Sequence, residues 1–555
     1  MKVCSILIQY MQGNSDNCCS EGRQPAFPIM RLPGELIAEV FSWCILGVCS
    51  AASRFSFSVT NGIFIPSFHN AFADSPAPYS WLVIRHVCRA WRQVALAYPQ
   101  LSAHIFLTRP ECVQDMLSRA GTLPLHIYDP SSPFVRSNLN DVVASSILAM
   151  RHLEHISYGS LIFRDDVGNV EQGLTRGKIS IARSLHLMLW QHRDSPGFPI
   201  PGFCFPELRD LSLCHVSISG IRGMFPVQHL RTLKLVQCEP IAIDRLIALI
   251  KPAQCLEELV LSRSMEARES WPHIYGSHST ANFRGGVVLP HLRHLHFFEK
   301  SAAAALFFLY HIVHPSSTTI HLTFNSFSQG AHADCECLLM MLLAKIDNWS
   351  ESENASVQSM RLGVFDWDDM FKHLQVKLWR NRLPSTTLVD LSECDSPFFE
   401  LVLGAGHRAF FTGLLRRLPL AHVISASLVH NAIVWDVVDW EELLAVLPSV
   451  RELGLKYYTT GSPNLQLYQI EPHGSDGSDA HILCPRVEVL HIREEHWNTE
   501  PLDEPIVQEL PQNALTLARL AQGLVARSEQ RPYGSQDNLS TAPEANNSIF
   551  TVPLL

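Results

Sequence analysis

A short pattern, Leu-x-x-Leu-x-Leu, returns again and again along this chain and limits what it can fold into more than any other feature. The clearest copies are Leu208–Leu213, Leu230–Leu235, Leu256–Leu261, Leu292–Phe297, Val450–Leu455 and Val487–Ile492, with weaker ones at Leu153–Ile156, Ile320–Phe324 and Leu388–Leu391. In a strand, positions two apart share a face, so Leu211 and Leu213 enter one core while Ser212 faces the other way. Leu208 enters from the preceding turn, and Pro206 ends what came before it. Between copies lie helical runs. Asp244–Ile250 places an Asp at the N-cap position with apolar residues behind it, and Asp439–Leu447 does the same before Pro448. Such units cannot bury their apolar faces singly, so they are expected to stack into an α/β body, a curved parallel sheet lined outside by helices.

The unit resembles the leucine-rich repeat, imperfectly. The family's Asn/Cys, three residues past the last Leu, is matched by Cys238 and missed at Val216, Ser264, Lys300, Tyr458 and Glu495. The spacing of Leu211, Leu233, Leu259 and Leu295 is uneven, and residues 262–289 form a polar insert. The resemblance implies an irregular, LRR-like solenoid over residues 109–527. Pro110–Ala120 is expected to be a short helix at its start, and Leu123–Tyr128 a strand. Asn513–Arg527 is a good helix former that could cap its end, and residues 528–555 are expected to be a disordered tail.

Ahead of the repeats stand two amphipathic segments. Leu36, Ile37, Val40, Phe41 and Cys44 make one apolar helical face within Leu32–Cys44, which Pro33 can start; Ile84, Val87, Cys88, Trp91, Val94 and Ala95 make another within Ile84–Leu96. From periodicity alone the pair is a local hairpin docked on the core. The residue identities point further. Leu-Pro-x-Glu-Leu-Ile with Val-Phe, followed by Val-Cys-Arg-x-Trp-Arg-x-Val-Ala, resembles the F-box, a helical motif that docks on the Skp-type adaptor of cullin–RING ubiquitin ligases. Residues 28–108 are the unit so identified, preceded by a poorly ordered leader, 1–27. The resemblance implies that Leu32, Pro33, Leu36, Ile37, Val40, Phe41, Val87, Cys88 and Trp91 hold the adaptor. Trp91 is also the natural centre of the unit's own core. Two departures stand out: Ser102 occupies a place where many relatives carry Trp, and residues 47–80 form an insert longer than an F-box normally holds. The order of leader, F-box-like unit and degenerate Leu-rich repeats resembles the F-box proteins expanded in mushroom-forming fungi.

Composition narrows the function. A net charge of -10 and no Lys/Arg-dense block argue against a nucleic-acid-binding protein. The 15 cysteines sit mostly within apolar runs, which fits a reducing, intracellular setting, cytoplasm and/or nucleus, better than a disulfide framework. The longest apolar run, Ser301–Val313, is too short and too interrupted to span a bilayer, so a soluble protein without membrane attachment is expected.

Several motifs look chemical and read better as structure. His332–Cys337 offers metal donors but lacks a second Cys/His pair at zinc-finger spacing. His291, His294 and His296 surround a repeat strand, where the last two would share the face opposite Leu295 and Phe297. Gly173–Ile179 resembles a phosphate loop but is one residue short and lacks the magnesium-binding hydroxyl, and Gly404–His407 is a lone Gly-rich turn. No catalytic residue, cofactor or metal is therefore expected. The leading expectation is a substrate-recognition adaptor subunit whose repeats hold an unknown target protein. Its rival is a repeat-only interaction scaffold whose N-terminal helices merely cap the array. The strand positions facing away from the leucines (Asp210, Ser212, Thr232, Lys234, Glu258, Val260, His294, His296) carry no one-sign field, so the target's charge stays open.

Overall fold

The computed structural model describes residues 33–53, 57–60, 63–66, 89–106, 110–128, 153–160, 183–189, 205–215, 227–265, 286–326, 342, 356–368, 371–384, 387–388, 397–404, 408–431, 446–459, 489–496 and 549–553. The protein is α/β, dominated by parallel strands, and divides into two compact units: Met1–Glu266 with Val287–Leu292, and Ala267–Gly286 with Arg293–Leu555.

The first described element of the first unit is helix α1, Gly34–Ser53. The Pro33 carbonyl accepts the amides of Leu36 and Ile37, both at 3.1 Å, so Pro33 caps the helix it was expected to start. The helix runs past Cys44 into the 47–80 insert, which also holds an antiparallel pair, β1 (Phe57–Thr60) and β2 (Ile63–Pro66). Helix α2, Arg89–Ala97, is the described part of the second amphipathic segment; Ile84–Cys88 lie outside the described residues. A 3-10 turn, Pro99–Ala103, leads into β3, His104–Phe106. Helix α3 occupies Pro110–Ala120 as expected, with Pro at its first position and Gly121 at φ 59°, where only a residue without Cβ enters the left-handed region at no cost.

Strands β4 (Leu125–Tyr128), β5 (Leu153–Ser160), β6 (Ser184–Leu189), β7 (Asp210–Cys214), β8 (Thr232–Val236) and β9 (Glu258–Ser262) follow, and each lies parallel to the strand before it, starting from β3. Leu211, Leu233 and Leu259 stand side by side, as do Leu213, Leu235 and Leu261, and all six are buried. Two devices hold this register. At strand entry one carbonyl accepts two amides: Arg209 O takes those of Arg231 (2.7 Å) and Thr232 (3.0 Å), and Arg231 O those of Glu257 (2.7 Å) and Glu258 (2.9 Å). At strand exit His215, Gln237 and Arg263 adopt φ of 57°, 48° and 48°, a turn that costs each about 1 kcal/mol.

Just beyond, Cys238 Sγ donates to Leu213 O at 3.4 Å and Ser264 Oγ to Leu235 O at 2.9 Å. Ser264, a miss against the leucine-rich-repeat pattern, thus supplies the same lateral tie as the matching Cys238. Helix α4, Ile243–Ile250, buries Ile243, Leu246 and Ile250; its N-cap is Ala242, not Asp244, which lies exposed in the first turn and favours the helix through its charge. A two-residue strand, β10 (Val287–Val288), completes the unit.

The second unit contains β11 (His294–Ser301), α5 (Ala302–His311), β12 (Ile312–Val313), β13 (Thr319–Ser326), β14 (Ser359–Asp368), β15 (Phe371–Trp379), β16 (Phe399–Gly404), α6 (Arg408–Arg417), β17 (Ser425–Asn431), β18 (Glu452–Thr459), β19 (Val489–His496) and β20 (Ile549–Pro553). The apolar run Ser301–Val313 folds as the end of β11, α5 and β12. The strand order is β11-β13-β16-β15-β14-β17-β18-β19-β20, with β15 antiparallel to both neighbours and β20 antiparallel to β19. Strand β15 therefore interrupts a succession that is otherwise parallel from β11 to β19. The weak copy at Leu388–Leu391 is not seen as a strand: Thr387 and Leu388 are helical, with the Leu388 amide bonded to Pro384 O at 3.1 Å, and residues 389–391 lie outside the described set. Ile549–Pro553 forms β20 inside the stretch expected to be tail. The capping helix 513–527 and the phosphate-loop-like and His332–Cys337 segments lie outside the described residues.

Candidate protein-docking surface

Helix α1 carries more apolar residues than one neighbour covers. Ile37, Ala38, Phe41 and Ile45 recur at i, i+1, i+4 and i+8 and are buried. Helix α2 meets this face with Trp91 and Ala95, and the Phe41 and Trp91 rings pack edge to face, centroids 5.2 Å apart and planes at 66°. Gly34 lies beside Val94, where an added Cβ would meet Val94 Cγ2 at 3.6 Å, an ordinary contact.

On the adjoining side of α1, Leu36, Val40 and Trp43 fall at i, i+4 and i+7. Leu36 is 46% exposed and Trp43 68% exposed, with Val40 partly covered between them. Glu35 and Glu39 flank this stripe, both exposed. Of the residues expected to hold a partner, Pro33, Leu36 and Val40 are therefore accessible, while Ile37, Phe41 and Trp91 are turned inward and shape the surface instead of forming it. Leu32, Val87 and Cys88 lie outside the described residues. Trp43 was absent from the expected set, although its position three residues after Val40 and seven after Leu36 placed it on their stripe.

Among the described residues, the side chains on the polar strand faces pair with one another. In the first unit, Ser184 Oγ donates to Asp210 Oδ2 at 2.9 Å and Lys234 pairs with Glu258 at 2.8 Å, while Ser212 and Val260, expected to face outward, are buried. Burial holds the His186 imidazole down to about 4, with Asp210 opposing and Lys234 adding to the shift. In the second unit the register places His296, His321, Glu400, Lys377 and Arg361 in one row across β11, β13, β16, β15 and β14. His321 Nδ1 lies 2.9 Å from Glu400 Oε2, Lys377 Nζ is 3.2 Å from Oε1, and Gln375 donates to Oε1 at 2.5 Å. Burial alone would raise the Glu400 carboxyl; the His321 hydrogen bond and the Lys377 charge outweigh it and hold the group down to about 2. His296 stacks on His321 at 4.5 Å, and His294 is exposed. These contacts hold the Glu400 carboxylate between His321, Lys377 and Gln375.

Among the described residues no group of three His, Cys, Asp or Glu side chains converges to hold a metal ion, and no helix is long and apolar enough to cross a membrane. No protein-family model matches the sequence, and no curated protein matches it.

Proposed function

We propose that this chain is an F-box type substrate-recognition subunit of a Skp–cullin–F-box ubiquitin ligase, holding the Skp-type adaptor through α1 and α2 and a target protein through an irregular leucine-rich-repeat solenoid. The observation that carries the reading is the division of α1. One apolar arc is consumed by Trp91 and its neighbours, and a second, Leu36–Val40–Trp43, keeps Leu36 and Trp43 exposed on either side of a partly covered Val40. A helix that needed only to fold would not require the second arc. The ordered motif around Pro33 and Trp91 supplies the partner's identity, and the parallel, laterally tied strands β6 to β9 support the repeat half of the proposal.

The test is capture of a purified Skp-type adaptor by wild type and by the Leu36→Asp, Trp43→Asp double variant. Both residues are exposed, so folding should be retained. Binding should weaken by more than about 30-fold, the effect of losing about 2 kcal/mol at an interface centre. Equal capture by both chains, or none by wild type at micromolar concentration, overturns the assignment.

One observation favours the scaffold reading: α1 also packs against β4 and the 3-10 turn, as a cap would. Deletion of residues 28–97 separates the two. Loss of a docking module leaves the strands' melting transition in place, whereas loss of a cap abolishes it.

A further inference from the structure

Strand β20 stands outside the repeat series. Strands β17, β18 and β19 lie parallel to one another, whereas β20 runs antiparallel along the edge of β19 opposite β18. Residues 497–548 separate β19 from β20. Residues 545–548, Ala-Asn-Asn-Ser, supply no leucine to enter a core from the turn, as Leu208 does ahead of β7. Among the described elements, the contacts of β20 are concentrated on β19.

The pairing is nonetheless specific. Register sets Val552 opposite Leu490, Thr551 opposite His491 and Phe550 opposite Ile492, so apolar residues meet apolar residues on either side of one polar pair. A slip of one residue would set Phe550 against His491 or Arg493 instead of Ile492. A five-residue strand that leans on one neighbour and takes no part in the repeats belongs to the low-stability end of a fold. The edge it covers, residues 489–493 of β19, is a template for another strand whenever it is bare.

We propose that this edge of β19 is a strand-addition site for an extended segment of a partner protein, and that β20 is the tethered occupant which such a segment displaces. The segment runs antiparallel to β19 and carries two apolar residues flanking a polar one, as Phe550-Thr551-Val552 does. Backbone hydrogen bonds supply the affinity, and the positions opposite Leu490 and Ile492 supply the selectivity. Pairing of β20 is unimolecular, so a free segment competes against a tethered one and the site stays closed until a longer or better matched strand arrives. The site needs nothing from α1 and is independent of adaptor docking.

The probe is a fluorescent peptide of residues 546–555, titrated by anisotropy into the full-length wild type and the full-length Thr551→Pro, Val552→Pro variant. In an antiparallel ladder alternate residues bond to a given neighbour, so two adjacent prolines remove a bond to β19 in either phase. The variant should bind the peptide at least about tenfold more tightly than wild type, because its own strand no longer competes. A peptide carrying the same two prolines should bind neither chain, and hydrogen exchange at 489–496 of the variant should slow when the unmodified peptide is added. Phe550→Asp disturbs the same register and stands in if the double variant does not fold. Equal binding to wild type and variant, binding of the proline-bearing peptide, no binding to the variant at about 1 mM, or no protection at 489–496 overturns the proposal. A dimer formed by wild type and lost in the variant assigns the edge to a second copy of this chain and overturns the partner reading.

Discussion

Replacing Trp91 by Ala should unseat α1 from α2 without dismantling the strands. Trp91 is 3% exposed and packs edge to face on Phe41, with Ile37, Ala38, Ile45 and Ala95 also buried. A buried Trp removes about 150–250 Å² from water, worth about 4–6 kcal/mol at ~25 cal/mol per Å². After subtracting what Ala still buries and adding the lost ring pair, the expected cost is about 4 kcal/mol. That is a large fraction of the roughly 5–15 kcal/mol that stabilises a typical domain. Urea unfolding should then show an early step, with α1 exchange protection lost while β7 to β9 stay protected. Trp43→Ala is the control: at 68% exposure it should lie within about 0.5 kcal/mol of wild type. If Trp91→Ala lies within about 1 kcal/mol of wild type, or if the two variants are alike, Trp91 is not the centre of this core and the division of α1 into buried and docking arcs fails.

Gln237 sits at φ 48°, so Gln237→Gly should raise stability by up to about 1 kcal/mol in urea unfolding, whereas glycine in the middle of β8 would lower it. Glu400→Gln leaves Lys377, 17% exposed, without its counter-charge and should cost about 3 kcal/mol at pH 7. Because Glu400 is depressed from 4.5 to about 2, this contribution is complete above 4.5 and is lost as the pH falls toward 2. The urea midpoints of variant and wild type should converge over that range.

The repeat strands were legible because two leucines a period of two apart, with a third entering from the turn, serve both as local pattern and as core contact. β7, β8, β9 and β11 fall where Leu211, Leu233, Leu259 and Leu295 placed them. The hairpin β14–β15 was not legible. Phe371–Trp379 alternates well enough for a strand, yet nothing local states that it will run against β14 and β16, because those partners are chosen by distant pairing. At the docking surface, periodicity revealed a wide apolar face on α1 but not which half a neighbour would cover. Phe41 and Leu36 looked equivalent until Trp91 took one and left the other. Ser264 was misjudged by residue type: what its place requires is a small donor able to reach Leu235 O, and a hydroxyl suffices.

The two devices that hold register also decide where this chain can vary in length. Strand entry is fixed by a carbonyl shared between two amides, as at Arg209 and Arg231, and strand exit by a left-handed residue followed by the tie from Cys238 or Ser264. Insertion or deletion of a single residue between those points would turn every inward leucine outward. The connecting segments obey no such constraint. Residues gained or lost there leave the rungs untouched, so homologous chains should differ in length between strands while keeping the span from entry leucine to exit turn constant.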